Sequence, residues 1–302
     1  MAFIEAYGLS KSFNSSSGRR HVLEHATLSV ERGEFVSIVG FMGCGKSTLL
    51  NILSGVLRPD AGEIRIDGER LSGVSKQASI VFQNYSLLPW FSALENVRLA
   101  VDAAYPSWSR SEQRKQSERY LGLVGLGGAL HHRPSQLSGG MRQRVAIARA
   151  FATDPEVLFL DEPFGALDAL TRANLQQELL RLCSVAGRRV TTVMITNNIE
   201  EALLLSDRII PMTRGPRARL GASVTVDLAK PRVPEQLLHD EASIRARAHV
   251  VECLTDQLHH RRADGSIHES SEVLSASRLR VKLRRTAVAL AKAVASRAEG
   301  QV

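Results

Sequence analysis

The chain has 302 residues, 44% of them hydrophobic, and a formal net charge of +8 at pH 7. This length exceeds one typical domain and predicts about two, while the hydrophobic content suffices for a buried core. The three cysteines show neither metal-ligand spacing nor the pattern of a disulfide framework, which favours a reducing, cytosolic environment.

Short apolar runs separated by turn residues predict six strands, with helical patterns between them. The strands fall in chain order at residues 35–39, 63–67, 79–82, 157–160, 191–195 and 207–212. This alternation predicts an α/β core. Residues from about 94 to 150 are predicted to be mostly helical and to form a subdomain inserted into that core, in which Ser138 begins a helix.

The first of these strands runs into a glycine-rich loop, Gly-Phe-Met-Gly-Cys-Gly-Lys-Ser-Thr at residues 40–48, which a helical pattern follows. The loop fits the pattern G-x-x-x-x-G-K-[ST] of phosphate-binding loops. Gly40, Gly43 and Gly45 permit the backbone angles that turn successive N–H groups toward one anion, and the helix adds its positive dipole end. A plain glycine-rich turn is the alternative, which the flanking strand and helix disfavour.

Lys46, Ser47 and Thr48 end this loop. Lys46 is predicted to reach the β- and γ-phosphates of a bound nucleotide, and the Ser47 hydroxyl to ligate Mg²⁺. Cys44 also lies in the loop, and we expect the nearby lysine and helix N-terminus to lower the pKa of its thiol. We prefer to interpret Cys44 as a small residue that fits the loop rather than as a redox switch, because nucleotide would shield it.

Two carboxylates, Asp161 and Glu162, follow the continuous apolar strand at residues 157–160. Such a run is typical of a strand buried in a parallel sheet, so its end is expected beside the glycine-rich loop. Asp161 would hold Mg²⁺, and Glu162 would polarise an attacking water molecule. A charged pair in this position often only begins a solvated loop, an alternative that the phosphate loop in the same chain disfavours.

A series of motifs in one order resembles the ATP-binding subunits of ABC transporters. Besides the loop and the two carboxylates, the matching residues are Phe13, Gln83 in Val-Phe-Gln-Asn-Tyr, the signature Leu-Ser-Gly-Gly-Met-Arg-Gln at 137–143, and Ala-Leu-Asp at 166–168. The resemblance covers residues 1 to about 228. It implies a P-loop NTPase core of ABC type and ATP hydrolysis with Mg²⁺; GTPases and small-molecule kinases share the phosphate loop but lack the signature.

The resemblance implies a role for each matching residue. Phe13 would stack on adenine, and Gln83 would contact Mg²⁺ and water while facing a membrane subunit. Asp168 lies in a loop that would cross the interface with a second ATP-binding protomer. Two residues of the signature, Ser138 and Gly140, would contact the γ-phosphate bound to that opposite protomer, and Gly139 between them belongs to the same nucleotide-binding set.

Asn197 is a departure from the family pattern. It follows the strand 191–195 in Thr-Asn-Asn, where most ABC proteins carry a histidine that contacts the γ-phosphate. An asparagine amide can donate a hydrogen bond but can neither carry charge nor relay a proton. We expect either slower hydrolysis or an unchanged step in which Asn197 orients the phosphate. Because Glu162 is present, a working ATPase is favoured over a non-catalytic regulatory subunit.

The transporter group is indicated by further local similarity. Residues 82–90 and 94–97, with Met141 in the signature, resemble the nitrate, sulfonate and taurine importers, and residues 207–221 and Asn197 resemble the nitrate-type members. The resemblance implies import of a small inorganic anion, with nitrate or nitrite as the first expectation. Sulfonate or taurine import is the alternative within the group.

Membrane passage is expected to depend on other polypeptides. No segment approaches the ~18–20 continuous apolar residues that a membrane-spanning helix requires. Residues 1–10 also lack the basic region and apolar core of a secretory signal. We therefore expect a peripheral subunit on the cytoplasmic face of the inner membrane. The resemblance implies a second ATP-binding protomer, identical or paralogous, two transmembrane permease subunits and a periplasmic solute-binding protein.

The remaining residues, 229–302, are predicted to form a mostly helical C-terminal extension. His259 and His260 are adjacent but have no further ligands nearby, which argues against a metal site. The segment 273–302 has seven Lys or Arg against one acid, so it carries six of the eight net positive charges. This basic tail could contact anionic lipid or a partner, pack on the core, or stay solvated.

A soluble ABC ATPase acting in translation or DNA repair is a competing class, which the basic tail alone suggests. Such proteins resemble two fused nucleotide-binding domains or one domain split by a long coiled coil, and this sequence has neither. No nucleic-acid partner is therefore expected.

Overall fold

The computed structural model describes residues 2–15, 18–184 and 189–263, with side chains for all of these except Ser15 and residues 256–263. The basic tail predicted at 273–302 and the side chains of His259 and His260 lie outside the described residues. Residues up to Gln257 form one compact unit, and a second unit begins at Leu258.

The described residues contain ten β-strands and eight α-helices. The strands are β1 (Ala2–Ser15), β2 (Gly18–Glu31), β3 (Phe35–Gly40), β4 (Ala61–Ile66), β5 (Glu69–Arg70), β6 (Ala78–Val81), β7 (Val157–Asp161), β8 (Thr191–Thr196), β9 (Arg208–Met212) and β10 (Val224–Thr225). The helices are α1 (Lys46–Leu53), α2 (Ala93–Ala104), α3 (Arg110–Leu123), α4 (Gly139–Phe151), α5 (Ala169–Cys183), α6 (Ile199–Leu205), α7 (Pro234–Leu237) and α8 (Glu241–Ala263).

A six-stranded sheet positions the site. Its strand order is β10-β9-β3-β8-β7-β6, and β3, β8 and β7 are parallel neighbours. Every residue of these three strands is buried, which explains the mostly apolar segments that predicted them and the continuous apolar run in β7. Because parallel strands end at the same edge of a sheet, Gly40, Asp161 and Thr196 come together at one edge.

A second, antiparallel sheet has the order β2-β1-β4-β5. Its long β1–β2 hairpin was not predicted, and the predicted strand at 63–67 proves to be β4 of this sheet rather than part of the parallel one. Several register shifts interrupt the pairing of β1 with β2. In β1 these shifts coincide with a loss of the alternation of apolar and polar residues by which a half-buried strand is predicted, whereas residues 25–31 of β2 alternate between exposed and buried and could have been predicted.

The predicted helical subdomain is confirmed, since α2, α3 and α4 lie between β6 and β7. Serines cap the first two helices in capping boxes, Ser92 with Glu95 and Ser109 with Glu112. The three helices share one apolar core with the parallel sheet. Among the described residues, no helix has the length and apolar character needed to cross a bilayer.

The chain after β10 is attached to the core by Arg232, whose side chain is buried. Its guanidinium donates to the carbonyls of Leu203 (2.7 Å) and Ser206 (2.6 Å) at the C-terminus of α6. A nearby ion pair joins Lys230 to Asp207 at 2.6 Å. The helices α7 and α8 follow this anchor, while a domain boundary near residue 228 stays a prediction.

Candidate nucleotide site

The glycine-rich loop joins the end of β3 to the start of α1. Gly43 and Gly45 have φ of 73° and 110°, and Gly45 precedes the first residue of α1 in the left-handed region. Gly40 does not adopt a positive φ. A Cβ atom there would lie 3.1 Å from the Met212 carbonyl oxygen, so close packing is what requires glycine at this position, contrary to our expectation of a special backbone angle.

Lys46 is the buried cation of the site, with 4% of its side chain exposed. Its ammonium group donates to the carbonyls of Gly40 (3.0 Å) and Phe41 (3.1 Å) within the same loop. It also lies 3.3 Å from a carboxylate oxygen of Glu162. The loop therefore holds a desolvated positive charge beside its own backbone carbonyls and Glu162.

Asp161, at the end of β7, lies directly beside the loop. Its carboxylate accepts a hydrogen bond from the Ser47 hydroxyl at 3.0 Å. Burial raises the pKa of Asp161 above its usual value, and the Ser47 hydroxyl opposes that shift. Two oxygen donors on neighbouring elements, one of them a poorly solvated carboxylate, suit a hard divalent cation such as Mg²⁺.

Glu162 adopts a strained backbone conformation, with φ of 43°, immediately after the buried strand. Its N–H donates to the Ile195 carbonyl at 3.0 Å, which ties the turn to the end of β8. The side-chain amide of Gln83 donates to one Glu162 carboxylate oxygen at 3.3 Å, and Lys46 lies beside the other. The fold thus brings Lys46, Gln83 and Glu162 into one chain of polar contacts.

A cavity of about 620 Å³ lies over the phosphate loop. Residues predicted for the site that line this cavity are Phe13, Gly43, Cys44, Gly45, Lys46, Ser47, Thr48, Gln83 and Glu162. The Phe13 ring is 42% exposed, with the Lys11 ammonium 5.7 Å from its centroid. The cavity therefore has an exposed aromatic ring, Phe13, which could stack on a planar nucleobase. It also has a buried cation, Lys46, which could bind phosphate.

Sequence reasoning missed several residues of the cavity wall, namely Arg20, His21, Val22, Gly215 and Pro216. The first three lie in β2, and the pairing of Phe13 with Arg20 in the β1–β2 hairpin places them beside the aromatic residue. The last two follow β9. In the sequence, Gly215 and Pro216 were noted only because residues 207–221 resemble nitrate-type subunits, and that resemblance assigned them no function.

The expectation for the Cys44 thiol was wrong. Cys44 is buried, with 2% of its surface exposed. Burial raises the pKa of the thiol, because removal from water disfavours the thiolate, and the opposing effect of Lys46 is smaller. Cys44 is therefore a packed, protonated residue of the loop.

Other predicted residues do not line the cavity of their own chain. Ser138 is the N-cap of α4 and accepts from the Met141 N–H at 3.2 Å, which confirms that a helix begins there. Asp168 is the N-cap of α5 and accepts from the Thr171 N–H at 3.0 Å. Gly139 and Gly140 form the first turn of α4. Asn197 is exposed after β8, while its neighbour Asn198 caps α6.

Comparison with known proteins agrees with this arrangement. The sequence profile of the family described as ABC transporter matches residues 23–165. The nitrate import ATP-binding protein NrtD of Synechococcus elongatus is 48% identical over 250 residues, which are 83% of this chain and 90% of that protein. The bicarbonate transport ATP-binding protein CmpD of Synechocystis sp. is 43% identical over 259 residues, which are 86% of this chain and 91% of that protein.

A solved structure is also similar. The ATP-binding cassette MJ0796, described as a dimer in a post-hydrolysis state bound to ADP and Pi, superimposes with a TM-score of 0.67 at 32% identity. The match covers 75% of this chain and all of that one. These similarities confirm the α/β cassette fold and the family that the motifs predicted. The chain belongs to the ABC transporter family and is one of its ATP-binding, ATP-hydrolysing subunits.

Proposed function

We propose that ATP binds in the cavity over the phosphate loop, with its phosphates on the loop and its adenine against Phe13. The observation that carries this proposal is the chain of contacts from Lys46 through Glu162 to Gln83 at the base of the cavity. The buried Lys46 ammonium and the start of α1 at the loop suit a polyphosphate anion. The exposed face of Phe13 suits a planar base.

Mg²⁺ would be held by Ser47 and Asp161, with Gln83 supplying an amide oxygen or an intervening water. The two oxygens of Ser47 and Asp161 already lie 3.0 Å apart. When bound, the ion would neutralise the charge that develops on the phosphates. A nearby cation would also stabilise the ionised form of Asp161, whose pKa is raised by burial.

Glu162 would orient and polarise the water that attacks the γ-phosphate. Phosphate oxygens would replace Glu162 as the partner of Lys46, which would leave the carboxylate free to accept a hydrogen bond from water. The Gln83 amide is close enough to hold the carboxylate in this orientation. Asn197 would donate a neutral hydrogen bond to the γ-phosphate from the end of β8.

A second protomer would complete the site through Ser138, Gly139, Gly140 and Asp168, which lie outside the cavity of their own chain. ATP held between two protomers would close the dimer, and hydrolysis would release it. In the assembly that we propose, this dimer works with two permease subunits and a periplasmic solute-binding protein. It lies at the cytoplasmic face of the inner membrane.

The transported solute would be nitrate or nitrite. The support is the 48% identity to a nitrate import ATP-binding protein across most of both chains. Bicarbonate is a second candidate, because a bicarbonate transport ATP-binding protein is 43% identical over a similar length.

Replacement of Glu162 by Gln in cells that produce the chain tests this proposal. Nitrate uptake is expected to stop while bicarbonate uptake continues, and ATP turnover of the purified complex should fall by about 10²–10³-fold. Glu118→Gln, which removes an exposed carboxylate paired with Arg114 on α3, is the matched control. Unchanged nitrate uptake with lost bicarbonate uptake would favour the second candidate, and unchanged turnover would contradict the role of Glu162.

A further inference from the structure

The segment after β9 runs along the outside of the phosphate loop. We name residues 213–219 the flanking loop. The guanidinium group of Arg214, in this loop, lies 3.9 Å from the centroid of the Phe41 ring. One residue further on, a Cβ atom at Gly215 would lie 3.7 Å from the Cys44 carbonyl oxygen. The flanking loop therefore contacts the phosphate loop at successive positions rather than at one point.

Phe41 connects this contact to the groups that face the phosphates. Its carbonyl accepts from the Lys46 ammonium at 3.1 Å and from the Cys44 N–H at 3.3 Å. The side chain of Phe41 thus points to Arg214 while its backbone orients Lys46. A shift of the ring would move the carbonyl on which both donors depend.

Arg214 is well suited to hold the ring in place. Among the described residues it has no carboxylate within ion-pair distance, and its Nε atom is buried without an acceptor. The negative face of the Phe41 ring lies directly beneath this guanidinium and attracts it, as in a partly desolvated cation–π contact.

The other end of the flanking loop is bonded to β2. The Arg217 N–H donates to the His21 carbonyl at 3.1 Å, and the Ala218 N–H donates to the Val22 carbonyl at 2.9 Å. His21, Val22 and Pro216 all line the cavity. His21 pairs with Ser12, the neighbour of Phe13, whereas a Cβ atom at Gly45 of the phosphate loop would lie 2.7 Å from the Val22 side chain. The flanking loop is thus bonded to the part of β2 that borders both Phe13 and the phosphate loop.

We propose that Arg214 is a positioning residue for nucleotide: by stacking on Phe41 it fixes the phosphate loop in its binding conformation. The inference rests on the proposed nucleotide site. Arg214 does not line the cavity, so it acts through Phe41 and not by touching the ligand.

Calorimetric titration of the full chain with ADP tests this proposal without requiring turnover. Arg214→Ala is expected to raise the dissociation constant about fivefold to tenfold, in line with the loss of a desolvated cation–π contact. Arg219→Ala is the matched control, because it removes the same charge from the same loop. Arg219 pairs with Glu24 at 2.7 Å on the surface and does not contact Phe41, so its dissociation constant should stay within about twofold of the wild type.

A double-mutant cycle with Phe41→Leu separates stacking from a general loss of charge or stability. If Arg214 acts through the ring, Phe41→Leu alone should weaken ADP binding, and adding Arg214→Ala should weaken it little further. Additive effects, or an Arg214→Ala chain that binds ADP as the Arg219→Ala chain does, would overturn the inference while leaving the nucleotide site intact. A wild-type chain that does not bind ADP would contradict the proposed site itself.

Discussion

The residues predicted to bind ATP fall into two groups that differ in burial and in hydrogen-bond partners. Lys46, Asp161 and Glu162 are buried or half-buried at the edge of the parallel sheet, where Lys46 pairs with Glu162 and Asp161 accepts a hydrogen bond from Ser47. Ser138 and Asp168 are exposed helix caps, each bonded to the backbone of its own helix. The first group lies together within one chain, whereas among the described residues the second group does not line the same cavity.

The exposed second group still has a hydrogen-bond donor and nearby apolar surface that a second chain could contact. The Ser138 hydroxyl uses one lone pair to cap α4, so its O–H remains available as a donor. Near Asp168, Leu170 leaves 74% of its side chain exposed, an apolar contribution to the same surface. A donor at a helix N-terminus beside exposed apolar surface suits contact with a second protomer that carries a bound anion.

The largest expected effect concerns the buried group. Lys46→Ala should weaken ADP binding about 100-fold or more, because charged hydrogen bonds to phosphate contribute about 1.5–3 kcal/mol each. Titration calorimetry measures this. Lys115→Ala, which removes the same charge from the exposed surface of α3, is the control. Equal affinities of the two variants would mean that the phosphates do not lie on the loop.

The exposed group is tested by two replacements of Ser138. Aspartate can still cap α4 but has no hydroxyl donor, whereas alanine lacks both functions. We expect Ser138→Ala to lose about 1 kcal/mol of unfolding free energy in urea and Ser138→Asp to lose almost none. ATP turnover should fall about tenfold or more in both. Wild-type turnover in Ser138→Asp would mean that Ser138 serves only as a cap.

Asn197, at the end of β8, gives a smaller effect that depends on pH. In Asn197→His the imidazole replaces an exposed side chain, and the negative γ-phosphate beside it should hold its pKa at or above the usual value of about 6.5. Protonation adds positive charge beside the γ-phosphate, so the ratio of variant to wild-type turnover should rise severalfold as pH falls from about 7.5 to 5.5. A ratio that does not change with pH would place position 197 away from the phosphate.

The smallest expected effect is chemical and concerns Cys44. Since burial raises the pKa of its thiol, alkylation by iodoacetamide at pH 8 should be about tenfold slower in the folded chain than in urea. Mass spectrometry of the peptide that contains Cys44 gives both rates. Faster alkylation in the folded chain would restore the original expectation of an activated thiol.

The parts that could be predicted from the sequence are those in which a local pattern has one structural meaning. The buried strands β3, β7 and β8 are mostly apolar segments, and the phosphate loop follows β3 while the two carboxylates stand at the end of β7. Parallel pairing alone then brings these residues to one edge of the sheet, so Lys46, Ser47, Asp161 and Glu162 could be named together.

The parts that were missed depend on contacts distant in sequence. Arg20 and His21 reach the cavity because β1 and β2 pair through a hairpin with shifted register, and Gly215 reaches it because the chain after β9 folds back on the phosphate loop. The pKa of Cys44 was assigned the wrong direction for a similar reason. Its sequence neighbours include a lysine and a helix start, but the packing around it excludes water, and that effect is larger.

The central claim is that one ATP site takes its two groups of residues from two chains. Mixing a Lys46→Ala chain with a Ser138→Arg chain tests it directly, since only a mixed dimer would combine an intact phosphate loop with an intact signature. The prediction is that neither variant turns over ATP by itself and that the mixture regains turnover. Wild-type turnover by the Ser138→Arg chain alone would contradict the claim, because the site would then be complete within one chain.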